Sequence, residues 1–145
     1  MTKIKFYSGA EDKLHTACRL SHKAMQSGLR VILHTPDEST VAALDKLLWH
    51  YPPTAFMPHC RSHEAAAGIM QVVLDFQGGS FPHSEILINL HTACLPFFSR
   101  FEQVIEIISQ ETEDVRLGRE RFSFYRDRGY EMQHFDLRKQ SENPA

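Results

Sequence analysis

The feature that most constrains this chain is a set of short apolar runs separated by longer amphipathic stretches. Val31-Ile32-Leu33, Val72-Val73-Leu74 and Ile86-Leu87-Ile88 contain no polar residue. A run of that length without alternation fits a strand covered on both faces. Lys3 to Tyr7 is rich in strand formers and is broken by Ser8-Gly9, and Val104 to Ile108 is β-branched enough for another strand. From 11 to 27, Leu14, Ala17, Cys18 and Met25 recur at helical spacing, and Gly28 follows where a helix end accepts positive φ. Thr35-Pro36-Asp37 opens a second helix with Val41, Leu44 and Leu48 on one stripe, which Pro52-Pro53 ends. Phe56-Met57-Pro58-His59 reads as an apolar loop or short edge segment, 61–68 as a polar connection with some helical content, and 96–101 as a helical turn. A last helix is predicted over 112–128, with Glu113 and Asp114 at its positive end and Gly129 stopping it.

Strands and helices that alternate with short connections call for an α/β fold with parallel, right-handed crossovers. The expectation is a single three-layer domain, a mostly parallel sheet of about five strands flanked by helices. It spans residues 1–130, and residues 131–145 form a polar C-terminal tail that frays.

Composition narrows the class. The 145 residues carry a formal charge of −2, which argues against a coat for nucleic acid, since phosphate binding needs a positive field. Direct DNA binding should be weak at most. Cys18, Cys60 and Cys94 are odd in number and widely spaced, with no C-x-x-C, so a reducing compartment is expected. No secretory signal and no membrane-length apolar run is present. A soluble cytoplasmic protein follows, with no membrane contact.

Chemistry-bearing motifs are sparse. The first strand-to-helix turn, Ser8-Gly9-Ala10-Glu11-Asp12-Lys13, has one glycine and two acids. A phosphate cradle needs several glycines, and these acids would repel a pyrophosphate, so the fold is Rossmann-like without a phosphate loop. His59, Cys60 and His63 lie close together, but a zinc site needs a second ligand pair. No nucleophile sits in a G-x-S-x-G turn, and His91 beside Thr92 and Cys94 stands after a strand without an acid–base partner. No metal or cofactor is expected. The alternative reading is a nucleotide-binding enzyme or sensor using the carboxyl edge of the sheet, which a bound nucleotide would stabilise.

Two features point to protein partners instead. On the last helix, Leu117 and Phe124 share one face, suited to packing on the sheet, while Arg119, Phe122 and Arg126 share another, with Ser123 beside them. An aromatic framed by guanidinium groups suits an acidic peptide with a hydrophobic anchor. The competing assignment makes Phe122 core and pairs the arginines with Glu120 and Asp127. Trp49, Phe56 and Met57 form the second feature, either a plug for the sheet edge or a partner patch.

These features occur in an ordered set. Phe6-Tyr7, Gly28-Leu29-Arg30-Val31, Leu48-Trp49 with Pro53, Phe56, Pro58 and His59, and Glu85-Ile86-Leu87-Ile88-Asn89-Leu90 come first. Arg119-Glu120-Arg121-Phe122, Tyr125-Arg126 and Gly129 close it. Together they resemble the chi subunit of the bacterial DNA polymerase III clamp loader, up to about Tyr130. The resemblance implies a non-catalytic accessory subunit of the replisome. Such a subunit binds the psi subunit, and through it the clamp loader, and also the acidic C-terminal tail of single-stranded DNA-binding protein, which ends in phenylalanine. Carried over by position, the tail site is Ile108, Arg119, Phe122, Ser123 and Arg126, and the psi-facing surface is Trp49, Phe56 and Met57. A helicase could also use that second surface. The family often shows Tyr and Lys where this chain has Phe122 and Ser123, so the resemblance implies either a weaker affinity or compensation by Arg121 or Arg128.

Overall fold

The structure is a computed structural model that describes residues 2–50, 59–61, 64, 71–78 and 81–140. Strand β1 (Lys3–Ala10) leads to α1 (Lys13–Gln26), β2 (Val31–His34) and α2 (Glu38–His50). Then come β3 (His59–Arg61), β4 (Val72–Asp75), β5 (Ile86–Asn89), a 3-10 turn (Phe98–Arg100) and β6 (Gln103–Ser109). Helix α3 (Thr112–Asp127), β7 (Glu131–Asp136) and a short α4 (Leu137–Gln140) follow. The seven strands form one sheet in the order β3-β4-β2-β5-β6-β1-β7, and each neighbouring pair is parallel.

The apolar runs behave as a period of two requires. Val31, Leu33, Val72, Leu74, Ile86, Ile88, Ile105 and Ile107 turn to one core together with Ala17 and Cys18 of α1 and Val41, Leu44 and Leu48 of α2. Ile32, Val73, Leu87 and Val104 turn to the opposite core with Ile4, Phe6, Phe98 and Tyr125. Both faces of the sheet are therefore dry, which is why the sequence shows continuous runs and not alternation. The Asp12 carboxylate accepts the His15 amide at 3.1 Å at the head of α1. An acid thus occupies the helix N-terminus that a phosphate would need.

Among the described residues seven strands stand where about five were expected, and the difference lies at the two edges. Strand β3 has three residues. Strand β7 corrects the expectation that the chain frays beyond Tyr130: it runs in register with β1 from Lys3 opposite Glu131 to Ser8 opposite Asp136. Its sequence is polar because an edge strand keeps one side in water. What holds it is Phe135, stacked on Tyr7 at 4.9 Å, with Met132 and Leu137 packed against the cores.

Candidate functional site

Helix α3 is docked by polar chemistry. Its buried stripe is Asp114, Gly118, Arg121 and Tyr125, spaced four, three and four residues apart. The expectation that Leu117 and Phe124 face the sheet holds only in part: both are half-buried, and Phe124 packs against the second core with its ring edge-to-face on Phe98 at 5.8 Å, whereas Leu117 joins neither core. Beneath the stripe lies Glu106, fully buried on β6. Its carboxylate accepts Arg121 Nε at 2.9 Å, Tyr125 OH at 2.6 Å and Asn89 Nδ2 at 3.1 Å. Burial pushes the Glu106 carboxyl up, against the opposing pull of Arg121 and of the Tyr125 and Asn89 hydrogen bonds. Arg121 Nη1 also donates to the Thr92 carbonyl at 2.8 Å, which ties α3 to the β5–β6 connection.

Asp114 closes the upper end of the stripe. Its carboxylate takes the Ser109 amide at 2.7 Å and Lys13 Nζ at 3.3 Å. Burial raises its pKa, but these partners outweigh burial and hold it below the usual carboxylate range. Gly118 allows close approach of the helix, because a Cβ there would lie 2.8 Å from Ile108 Cγ1.

Beside this dock, α3, the β1 end and β7 enclose a cavity of about 390 Å³. Its apolar floor is Phe6, Ile108, Val115 and Phe122, with the Phe6 and Phe122 rings edge-to-face at 5.2 Å. Arg119 reaches it from the exposed side of α3 and makes no ion pair among the described residues. The arrangement is an apolar socket with a guanidinium at its lip. It fits a hydrophobic side chain carried next to a carboxylate, since planar guanidinium can take a carboxylate bidentately.

The family model described as "DNA polymerase III chi subunit, HolC" matches residues 1–133. The chain belongs to the DNA polymerase III chi subunit family. It is similar to "DNA polymerase III subunit chi" of Pseudomonas aeruginosa, 34% identical over 137 residues that cover 92% of this chain and 95% of that one. The Escherichia coli chi subunit is 31% identical over 116 residues, 79% of each chain. That of Haemophilus influenzae is 26% identical over 117 residues, 80% of this chain and 81% of the relative. A chi subunit of DNA polymerase III implies a part in DNA replication.

Of the residues the chi resemblance singled out, Ile108, Arg119 and Phe122 meet at the cavity. Ser123 and Arg126 lie further along α3 and do not line it, and Arg126 Nε contacts Asp127 at 3.3 Å. Phe122 is half-buried, so it belongs to the core and to the cavity floor at once. Glu120 pairs with Arg116, not with Arg119. Neither expected substitute for the missing lysine faces the cavity: Arg121 is buried on Glu106, and Arg128 lies over the Phe124 ring at 3.6 Å. Trp49 is 51% exposed, with its ring 4.5 Å from that of His59, whose Nε2 is 2.6 Å from Asp45. Phe56, Met57 and His63 lie outside the described residues. Among the described residues no group of three metal-ligating side chains is present, and no helix is long and apolar enough to cross a membrane.

Sequence reasoning missed the cavity's other wall, Ser8, Gly9, Gln110, His134, Asp136 and Arg138. The available signal was Phe135 and Leu137 inside an otherwise polar run. It also missed a buried polar row across four adjacent strands. Asp75, His34, Asn89 and Glu106 stand side by side, the first three at the carboxyl ends of β4, β2 and β5 and Glu106 in the middle of β6. His34 Nδ1 meets Asp75 Oδ2 at 2.8 Å, and Asn89 Oδ1 accepts the His91 amide at 2.8 Å. Burial, then the charges of His34 and Arg121, holds the His91 imidazole below its usual range. Here, where an α/β enzyme would keep reactive groups open to a substrate, the side chains of this row are engaged with one another.

Proposed function

We propose that this chain is a non-catalytic accessory subunit of the replicative clamp loader that holds two partners on separate surfaces. One is the acidic C-terminal tail of single-stranded DNA-binding protein, held at the α3 cavity. The other is the psi subunit, held around Trp49, Phe56 and Met57, which links the chain to the clamp loader. The observation that supports the first assignment best is a solvent-facing guanidinium, Arg119, above the apolar floor of Ile108 and Phe122. In this reading the terminal phenylalanine of the tail enters the cavity, Arg119 takes its carboxylate, and the preceding acids run along α3. Arg126, seven residues on, is about 10 Å away along the helix axis and within reach of them. Ser123 supplies no charge between the two, so attraction rests on the arginines and falls as salt is raised.

The test is calorimetric titration with a peptide copying the tail, beside the same peptide lacking its final phenylalanine. Binding by the full peptide, weakened at least about tenfold by Arg119→Ala or by loss of the phenylalanine, is the expected result. No binding by the unaltered chain would remove the tail assignment. For psi, Trp49→Ala should weaken the complex by about 2 kcal/mol, as aromatic anchors do, and an unchanged complex would remove Trp49 from that surface. Adding ATP or NAD should leave the thermal midpoint where it was.

A further inference from the structure

We infer that β7 and α4 supply the second half of the tail-binding site and that Arg138 is its second cation, an inference that rests on the tail assignment above. Arg138 lines the same cavity as Arg119 but comes from α4, a separate element. Its position is prepared by its surroundings. Gly9 has φ +74°, and a Cβ there would lie 2.9 Å from Arg138 Cγ and 3.1 Å from its Nε. The arginine stem therefore lies over bare backbone, which only glycine provides. Asp136 Oδ1 accepts the Arg138 amide at 3.0 Å and stands 3.6 Å from Nε, so the backbone and the head group of Arg138 lie beside the same carboxylate. The stacked Tyr7 and Phe135 rings and the packing of Leu137 fix this segment to the sheet.

The charges then select the ligand. Arg119 and Arg138 set two positive charges around the apolar floor, with the Asp136 carboxylate beside Arg138. An incoming carboxylate between two cations is favoured by both, and it relieves their mutual repulsion. A ligand with an apolar side chain and two nearby carboxylates uses the whole site, whereas an apolar ligand without charge uses only the floor. The acidic tail ending in phenylalanine is of the first kind.

The experiment is fluorescence anisotropy with the labelled tail peptide, run on the full chain and on Arg138→Ala, Arg138→Lys and Asp136→Asn, with thermal midpoints recorded for each. Arg138→Ala should weaken binding about tenfold at an unchanged midpoint, and Arg138→Lys should recover part of the loss. Asp136→Asn keeps the acceptor for the Arg138 amide while removing the competing charge, so it should tighten binding. A role confined to structure would weaken it instead. Binding by Arg138→Ala equal to that of the unaltered chain overturns this inference and leaves the tail assignment standing. No binding by the unaltered chain overturns both.

Discussion

Arg121 and Arg119 stand two residues apart on α3 and meet opposite surroundings. Arg121 is 2% exposed and bound to Glu106, Thr92 and the sheet below, whereas Arg119 faces solvent over an apolar cavity. Their opposite surroundings come from the sheet and not from the helix. Glu106 lies under one of them, and the floor built by Phe6 and Ile108 lies beside the other. The inner face of α3 is thus expected to carry stability and the outer face recognition, and substitutions can separate the two.

The largest effect is expected on the inner face. Glu106→Ala leaves Arg121 buried without its counter-ion and should cost about 3–5 kcal/mol, read as a fall in thermal midpoint. Gly118→Ala comes next. The added methyl would meet Ile108, so despite the better helix propensity of alanine it should cost about 1–3 kcal/mol. Ile108→Val in the same chain should return part of that loss by removing a methyl from the contact, and a Gly118→Ala chain as stable as the original would mean that the helix rides higher on the sheet.

On the outer face Arg119→Ala should change stability by less than about 0.5 kcal/mol while weakening the tail complex. A midpoint that falls as far as in Glu106→Ala would merge the two faces and break the comparison. Arg126→Ala should be milder, about threefold in affinity, and should flatten the salt dependence. The smallest effect concerns acid. Because its partners depress the folded-state pKa of Asp114, the stability it adds is present above about pH 3.9, the unfolded value, and is lost as pH falls through the folded value. Asp114→Asn should therefore be slightly less stable at neutral pH and show a shallower loss in acid, as followed by denaturant midpoints at several pH values.

The sheet core was legible because burial on both faces leaves a direct mark. Val31-Ile32-Leu33 and Ile86-Leu87-Ile88 admit few other placements. Strand β7 was hidden, since Glu131, Gln133 and His134 are exposed and look like a tail. The inner face of α3 was hidden for a related reason. A helix whose buried stripe is Asp114, Gly118, Arg121 and Tyr125 carries almost no apolar periodicity, and only the position of Glu106 in the fold explains it. Arg119 and Phe122 could be singled out because a guanidinium next to an aromatic keeps its meaning on an exposed helix face, whereas Ile108 came only from the resemblance to the chi family. Arg138 was not found, as its place at the cavity depends on β7 being a strand.

The most direct test of the outer face as a recognition surface is a double-mutant cycle between Arg119→Ala and amidation of the tail peptide's terminal carboxylate. If the guanidinium takes that carboxylate, each change alone should weaken binding about tenfold and the two together little more, a coupling of about 1.4 kcal/mol. Fully additive losses, or none at all for Arg119→Ala, would contradict the account.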